Sequence, residues 1–273
     1  MNRTNIHFNF VVQLLVIITI LTACSDTANT EDCSWDFEWH DEFEGPAGQL
    51  PDPAKWGFDI GTNWGNNQLE YDTDRPENAS LDGEGHLVIT ALEESYQGQN
   101  YTSARIVTRD LFEPTYGRFE ARIRLPEGQG IWPAFWLLGA DIGTIGWPAC
   151  GEIDIMEYLG HQTDVVYATV HGPGYSGGGG VGDEYTLPDG GFNDDFHIFV
   201  MEWYYDTIDW YVDDVLIHSV DPDDLNGEWV FDHSFYIILN LAVGGNWPGP
   251  PDGNTVFPQT LVVDWVRVYT ETP

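Results

Sequence analysis

The segment Gly151-Glu-Ile-Asp-Ile-Met-Glu-Tyr158 sets three carboxylates in one short apolar run. Glu152 and Asp154 are two apart, so on a strand they share one face while Ile153 and Ile155 take the other. Strict alternation would bring Met156 to the acidic face and send Glu157 to the far side. A β-bulge near Ile155 and Met156 adds one residue, flips the phase of the strand beyond it and returns Glu157 to its neighbours. Three like charges on one face raise at least one carboxyl pKa. Hydrolysis of a glycosidic bond calls for such a set: one carboxylate attacks the sugar and one carboxylic acid protonates the leaving oxygen. In the retaining form of that chemistry the two groups stand ~5 Å apart, whereas four regular strand steps span ~13 Å, so the glutamates must lean together over a concave sheet. A solvent-facing acidic strand accounts for the same spacing, and in a chain with 45 Asp and Glu the spacing alone does not choose.

Other residues could serve the same chemistry. Sugar rings have apolar faces edged by hydroxyls, so a sugar cleft uses flat aromatics with polar groups at their rims. Trp132 and Trp136 lie four apart in one apolar run, hence on one face of a strand just before the acidic segment. Trp247 lies in a Gly/Pro-rich loop, where a large aromatic has little reason to be core. Arg105 falls within an otherwise apolar strand and needs either an internal carboxylate or sugar hydroxyls. Asp264 stands among Val262, Val263, Val266 and Val268, a poor place for an unpaired charge unless it reaches solvent. Gly174 to Gly178 matches a nucleophile elbow and Gly172 to Gly177 a dinucleotide fingerprint. Both motifs need a strand feeding a helix. The glycine run Gly177 to Gly180 and the lack of a helical pattern after it give a flexible surface loop instead.

The elements that position these residues read as strands. With 30 Gly, 16 Pro and a single lysine, Lys55, the composition lacks the residues that favour helices. From Arg118 to Leu125 apolar and polar residues alternate strictly, which is the period of a half-buried strand. The same or a fully buried pattern recurs over 87–92, 104–108, 165–171, 196–205, 208–212, 215–220, 235–243 and 261–269. About a dozen short strands separated by turns predict an all-β fold: a two-sheet antiparallel β-sandwich or jelly roll.

A net charge of −36 repels phosphate backbones and excludes nucleic-acid binding. The run Phe10 to Leu21 is too short to span a bilayer and suits the apolar part of an export signal. Leu21-Thr-Ala-Cys24 resembles the bacterial lipobox. The expected organisation is therefore a signal over residues 1–23, a polar tether over 24–34 beginning with a lipid-bearing Cys24, and one domain over 35–273. Such a protein is an exported lipoprotein, anchored to the outer membrane or cell surface through that lipid alone, or secreted if the lipobox is unused. Cys33 and Cys150 remain, in a compartment that permits pairing, and the sequence does not say whether they meet.

The segment Glu152 to Glu157 resembles the active-site signature of glycoside hydrolase family 16, in its bulged form with Met. The surroundings resemble the laminarinase branch of that family: Trp64 to Tyr71, Tyr101 to Arg105, Gly117 to Arg122, Gly130 to Trp136, His171 to Ser176, Gly244 to Gly249 and Asp264 to Tyr269. The resemblance implies a concanavalin-like jelly roll with a concave cleft that hydrolyses internal β-1,3-glucosidic bonds of laminarin-type glucan with retention. By position it makes Glu152 the nucleophile, Glu157 the general acid/base and Asp154 the neighbour that tunes the nucleophile. It assigns Asn66, Arg105, Trp132, Trp136, His171 and Trp247 to the substrate, with Trp64 a further candidate. It implies no cofactor for catalysis, but one structural calcium ion held at Glu44, Gly85 and Asp264 by oxygen donors. The expected partner is a neutral β-glucan and the expected state a monomer. Mixed-linkage β-1,3-1,4-glucan is a further candidate substrate. Two alternatives stand beside this reading: a relative acting on sulfated galactans, which the acidic surface disfavours, and a surface glucan-binding protein without catalysis, which the presence of both glutamates disfavours.

Overall fold

The computed structural model describes residues 35–272. The leader, Cys24, the tether and Cys33 lie outside the described residues. In chain order the strands are β1 (Trp35–Asp41), β2 (Gly57–Phe58), β3 (Glu70–Asp72), β4 (Ala79–Leu81), β5 (Leu87–Tyr96) and β6 (Gln99–Ser103). There follow β7 (Arg105–Val107), β8 (Gly117–Arg124), β9 (Ile131–Gly139), β10 (Glu152–Tyr158), β11 (Val165–His171) and β12 (Val181–Thr186). The chain ends with β13 (His197–Trp203), β14 (Ile208–Val212), β15 (Val215–Val220), β16 (Phe235–Val243) and β17 (Gln259–Glu271).

One sheet runs β15-β14-β13-β8-β17-β5-β6-β3, with β1 on β17 and β4 on β5. The other runs β12-β11-β10-β9-β16-β7-β2. All pairings are antiparallel except β3 with β6. The expected two-sheet sandwich is therefore present. The strand number exceeds the expected dozen because β2, β3 and β4 are only two or three residues long, too short to show a period.

Alternation builds both the core and the site in the second sheet. On β9, Ile131, Phe135 and Leu137 enter the main core, and Trp132 and Trp136 stand on the opposite face. On β11, Val166, Ala168 and Val170 enter that core, and Tyr167, Thr169 and His171 line a cleft on the other face. On β16 every residue is buried, since one face meets the core and the other the cleft floor. The first sheet covers the core from the far side with Phe119, Ala121, Phe199, Met201 and Trp203.

Candidate active site

The expected bulge lies where the sequence requires it. Asp154 pairs with Trp136 of β9, but the next pair is Met156 with Phe135, and toward β11 the ladder steps from Asp154–Thr169 to Glu157–Tyr167. Ile155 and Met156 both enter the core, and Glu157 returns to the face that carries Glu152 and Asp154. Apolar burial of two successive side chains holds this irregularity in place.

Glu152 and Glu157 stand at the junction of two adjoining lobes of one cleft, about 900 and 420 Å³ in volume, and Asp154 borders the smaller. Asn66, Trp132, Trp147, Glu152 and Glu157 border both lobes. Trp247, Tyr167 and His171 continue the larger lobe, and Trp64, Arg105, Trp136 and Asn240 the smaller. Every expected substrate-side residue thus lies in the cleft, and so does Trp64. The indole of Trp132 donates to Glu157 Oε1 at 3.1 Å, and that of Trp136 to Asn240 Oδ1 at 2.7 Å. Trp247 packs edge-on against Trp132 and Tyr167, with ring centroids 5.7 and 4.8 Å apart, and remains 43% exposed.

Burial dominates the electrostatics. It pushes Glu152 up to about 8, with Asp154 adding to the effect while His171, the Trp147 indole and Arg105 oppose it. Asp154 is also pushed up to about 8 by burial. Glu157 is held well above the usual carboxylate range by burial first, then by Asp154 and Glu152. His171, opposite Glu152 on β11, sets its Nε2 3.2 Å from Asp154 Oδ2 and 3.7 Å from Glu152 Oε1. Near neutral pH burial and its two acidic neighbours favour the protonated form of Glu157, while the Trp147 indole and the nearby His171 and Arg105 favour the ionised form of Glu152.

The structure adds detail to two readings of the sequence and corrects a third, the glycine run. Arg105 does have an internal carboxylate, Asp59 Oδ2 at 3.2 Å, and its guanidinium also lies between the rings of Trp64 and Trp136, at 5.2 and 4.7 Å. The alternatives of carboxylate or cleft are both realised, because the fork is broad enough to face two ways. Asp264 is not an unpaired charge. It forms an ion pair with Arg122, and His86 Nε2 lies 3.9 Å from its other oxygen. The glycine run is not a mere surface loop: Gly177, Gly178 and Gly180 form part of the cleft wall.

The residues expected to hold calcium, Glu44, Gly85 and Asp264, fall at one corner of the first sheet. Val263 pairs with Leu87, Val266 pairs with Asp41, and Asp264 sits at the register break between them. Glu44 Oε1 comes within 3.9 Å of the point where a Gly85 Cβ would stand. With Asp264 shared with Arg122, an ion there would rest on backbone carbonyls and one carboxylate oxygen, donors that suit calcium.

The family model for glycosyl hydrolases family 16 matches residues 59–267. The chain belongs to that family. The β-glucanase of Rhodothermus marinus is 43% identical over 269 residues, spanning 93% of this chain and 92% of the relative. A glucan endo-1,3-β-glucosidase of Cryptopygus antarcticus is 37% identical over 258 residues, with 87% and 93% covered. The crystal structure of the laminarinase catalytic domain from Thermotoga maritima MSB8 superposes with a TM-score of 0.83 at 50% identity, covering 88% of this chain and 99% of that one. These likenesses fit the jelly-roll architecture of family 16.

Sequence reasoning missed three cleft residues of this family 16 chain, and Asp72, the buried partner of Trp64. Trp147 donates to Glu152 Oε2 at 2.9 Å from a Gly-Trp-Pro turn that carries no strand period. Asn240 was hidden in the apolar run of β16, Tyr167 looked like one more strand aromatic, and Asp72 followed a loop. A polar residue inside a fully apolar strand was the available signal for Asn240. Asp72 is buried and accepts from the Trp64 indole at 2.7 Å, which fixes that ring over Arg105.

Proposed function

We propose that this protein is an endo-β-1,3-glucanase that cleaves internal bonds of laminarin-type β-glucan by a retaining double displacement. The observation that carries the reading is the bulge, which returns Glu157 to the face of Glu152 midway along a cleft with a lobe on either side. A site flanked on both sides suits attack within a chain rather than at its end. Glu152 attacks the anomeric carbon, the glycosidic C–O bond breaks, and Glu157 passes its proton to the departing oxygen. The sugar is then esterified to Glu152. Glu157, now a carboxylate, removes a proton from water, whose oxygen displaces Glu152 and frees the sugar with its original configuration. Asp154, with His171 Nε2 3.2 Å from its Oδ2, stands beside Glu152 and tunes its charge. Trp132, Trp136 and Trp247, with Asn66, Arg105 and His171, hold the glucan, and no cofactor takes part in the chemistry.

The deciding experiment incubates wild type and Glu152→Gln with laminarin, lichenan, agarose and carrageenan, following reducing ends, product size and the anomer first released. The expected outcome is short β-anomeric products from laminarin, absent in the variant, with lichenan reporting any mixed-linkage activity. Binding of laminarin without cleavage of any polymer would transfer the protein to the glucan-binding class.

The same reading extends to the cell surface. The chain is proposed as a monomeric lipoprotein anchored by Cys24, which mass spectrometry of the mature N-terminus checks directly. A calcium ion at Glu44, Gly85 and Asp264 is proposed as structural, and a melting temperature unmoved by chelation would remove it.

A further inference from the structure

The two cleft lobes differ in charge. The larger has no Lys or Arg among its lining residues, and Glu152, Glu157 and Glu184 border it, whereas the smaller holds Arg105. Glu184 comes from β12, an edge strand hydrogen-bonded only to β11. Two glycines let this strand close on the cleft wall. A Cβ on Gly180 would stand 2.3 Å from the His171 ring, and one on Gly182 would stand 2.2 Å from the Ala168 carbonyl oxygen. Asp183 also borders the lobe, but the ladder separates the two acids. Glu184 pairs with Tyr167, on the cleft face, and Asp183 pairs with Ala168, on the core face. Their electrostatic neighbours agree. Burial first and the Glu184 carboxylate second push the Tyr167 hydroxyl up, while Asp183 acts on His218 of β15, opposing the effect of burial there.

We propose that Glu184 is a specificity residue whose carboxylate rejects glucans bearing carboxylate or sulfate groups and so restricts the larger lobe to neutral sugars. The inference rests on the glucanase reading and deepens it. A substituent anion bound beside Tyr167 would meet Glu184 and the catalytic acids, with no Lys or Arg lining that lobe. Glu184 is exposed at the sheet edge, so that repulsion acts through solvent and is strongest at low ionic strength.

The test measures kcat/KM on neutral laminarin and on carboxymethylated laminarin for wild type, Glu184→Gln and Asp183→Asn. Both variants change the net charge equally, so only position separates them. At about 0.05 M salt the charged-to-neutral ratio is expected to rise roughly fivefold in Glu184→Gln and to stay within about twofold in Asp183→Asn. At about 1 M NaCl, where the Debye length falls to ~3 Å, the wild-type ratio rises and the variants converge. Equal rises in the two variants, or no rise in Glu184→Gln, would overturn the proposal. Failure of the wild type to cleave neutral laminarin would overturn the glucanase reading and this proposal with it.

Discussion

The indole N–H of Trp147 donates to Glu152 Oε2 at 2.9 Å while 48% of the residue remains exposed. Trp132 makes the matching contact to Glu157 at 3.1 Å, yet is only 7% exposed. Each glutamate thus has an indole donor of its own. One donor belongs to the rigid cleft floor and the other to the turn before β10.

A donor to a carboxylate favours its ionised form, so Trp147 lowers the pKa that burial pushes up in Glu152. The nucleophile must be ionised to react. In Trp147→Phe the acid limb of the pH–activity profile is therefore expected to move to higher pH, by about half a unit to one unit, with a matching loss of activity at neutral pH. A profile that loses amplitude without moving would assign Trp147 to sugar stacking alone.

Raised carboxyl pKa values also carry a stability consequence. Glu152 titrates near 4.5 when unfolded and about 8 when folded, so the folded state favours its protonated form. That contribution is fully present below pH 4.5 and is lost as pH rises through about 8. Removing the carboxyl should therefore stabilise the protein only at high pH. For Glu152→Gln the expected gain near pH 9 is about 2 kcal/mol, roughly 5 °C in Tm, because solvent in the open cleft reduces the full value of the shift. No difference is expected near pH 4. Thermal unfolding scans of both proteins across that range provide the check, and equal gains at both ends would assign the effect to packing.

Strands with a clean period, such as β8 and β11, were legible in the sequence because one face meets the core and the other does not. The bulge was legible too, since Glu157 could join Glu152 only through an extra residue. The sequence concealed partnerships between distant segments. The pairing of Asp59 with Arg105 spans four strands, β3 to β6, and that of Arg122 with Asp264 joins neighbouring strands far apart in the chain. Arg105 and Asp264 stand out as charges within apolar strands, but nothing in the sequence names Asp59 and Arg122 as their partners. The cleft role of the glycine run was hidden for the same reason: Gly180 needs no side chain because His171 occupies the space.

Arg105 combines an ion pair to Asp59 with a position between two indole faces. A lysine keeps the charge but has neither the planar stack nor the fork. Arg105→Lys is expected to raise KM for laminarin about tenfold and to change kcat less than about threefold, since the chemistry is carried by the acids. Steady-state kinetics with a fluorescence check of folding separates this from general damage. A fall in kcat alone would place Arg105 in the tuning of Glu152 instead.

The charge balance leads to the last expectation. Lys55 and every described Arg except Arg124 stand against a carboxylate, and Arg124 lies 5.3 Å from the Phe196 ring centre. With 45 acids against 9 bases, most carboxylates therefore have no cation to meet, and their mutual repulsion opposes the compact state. Added salt screens that repulsion without touching the buried pairs. Between about 0.05 and 1 M NaCl, Tm is expected to rise by roughly 5–10 °C, and a shift from pH 7 to about 5 at low salt should stabilise in the same direction. A Tm indifferent to both changes would mean that the surface acids are too well hydrated and too widely spaced for their repulsion to matter.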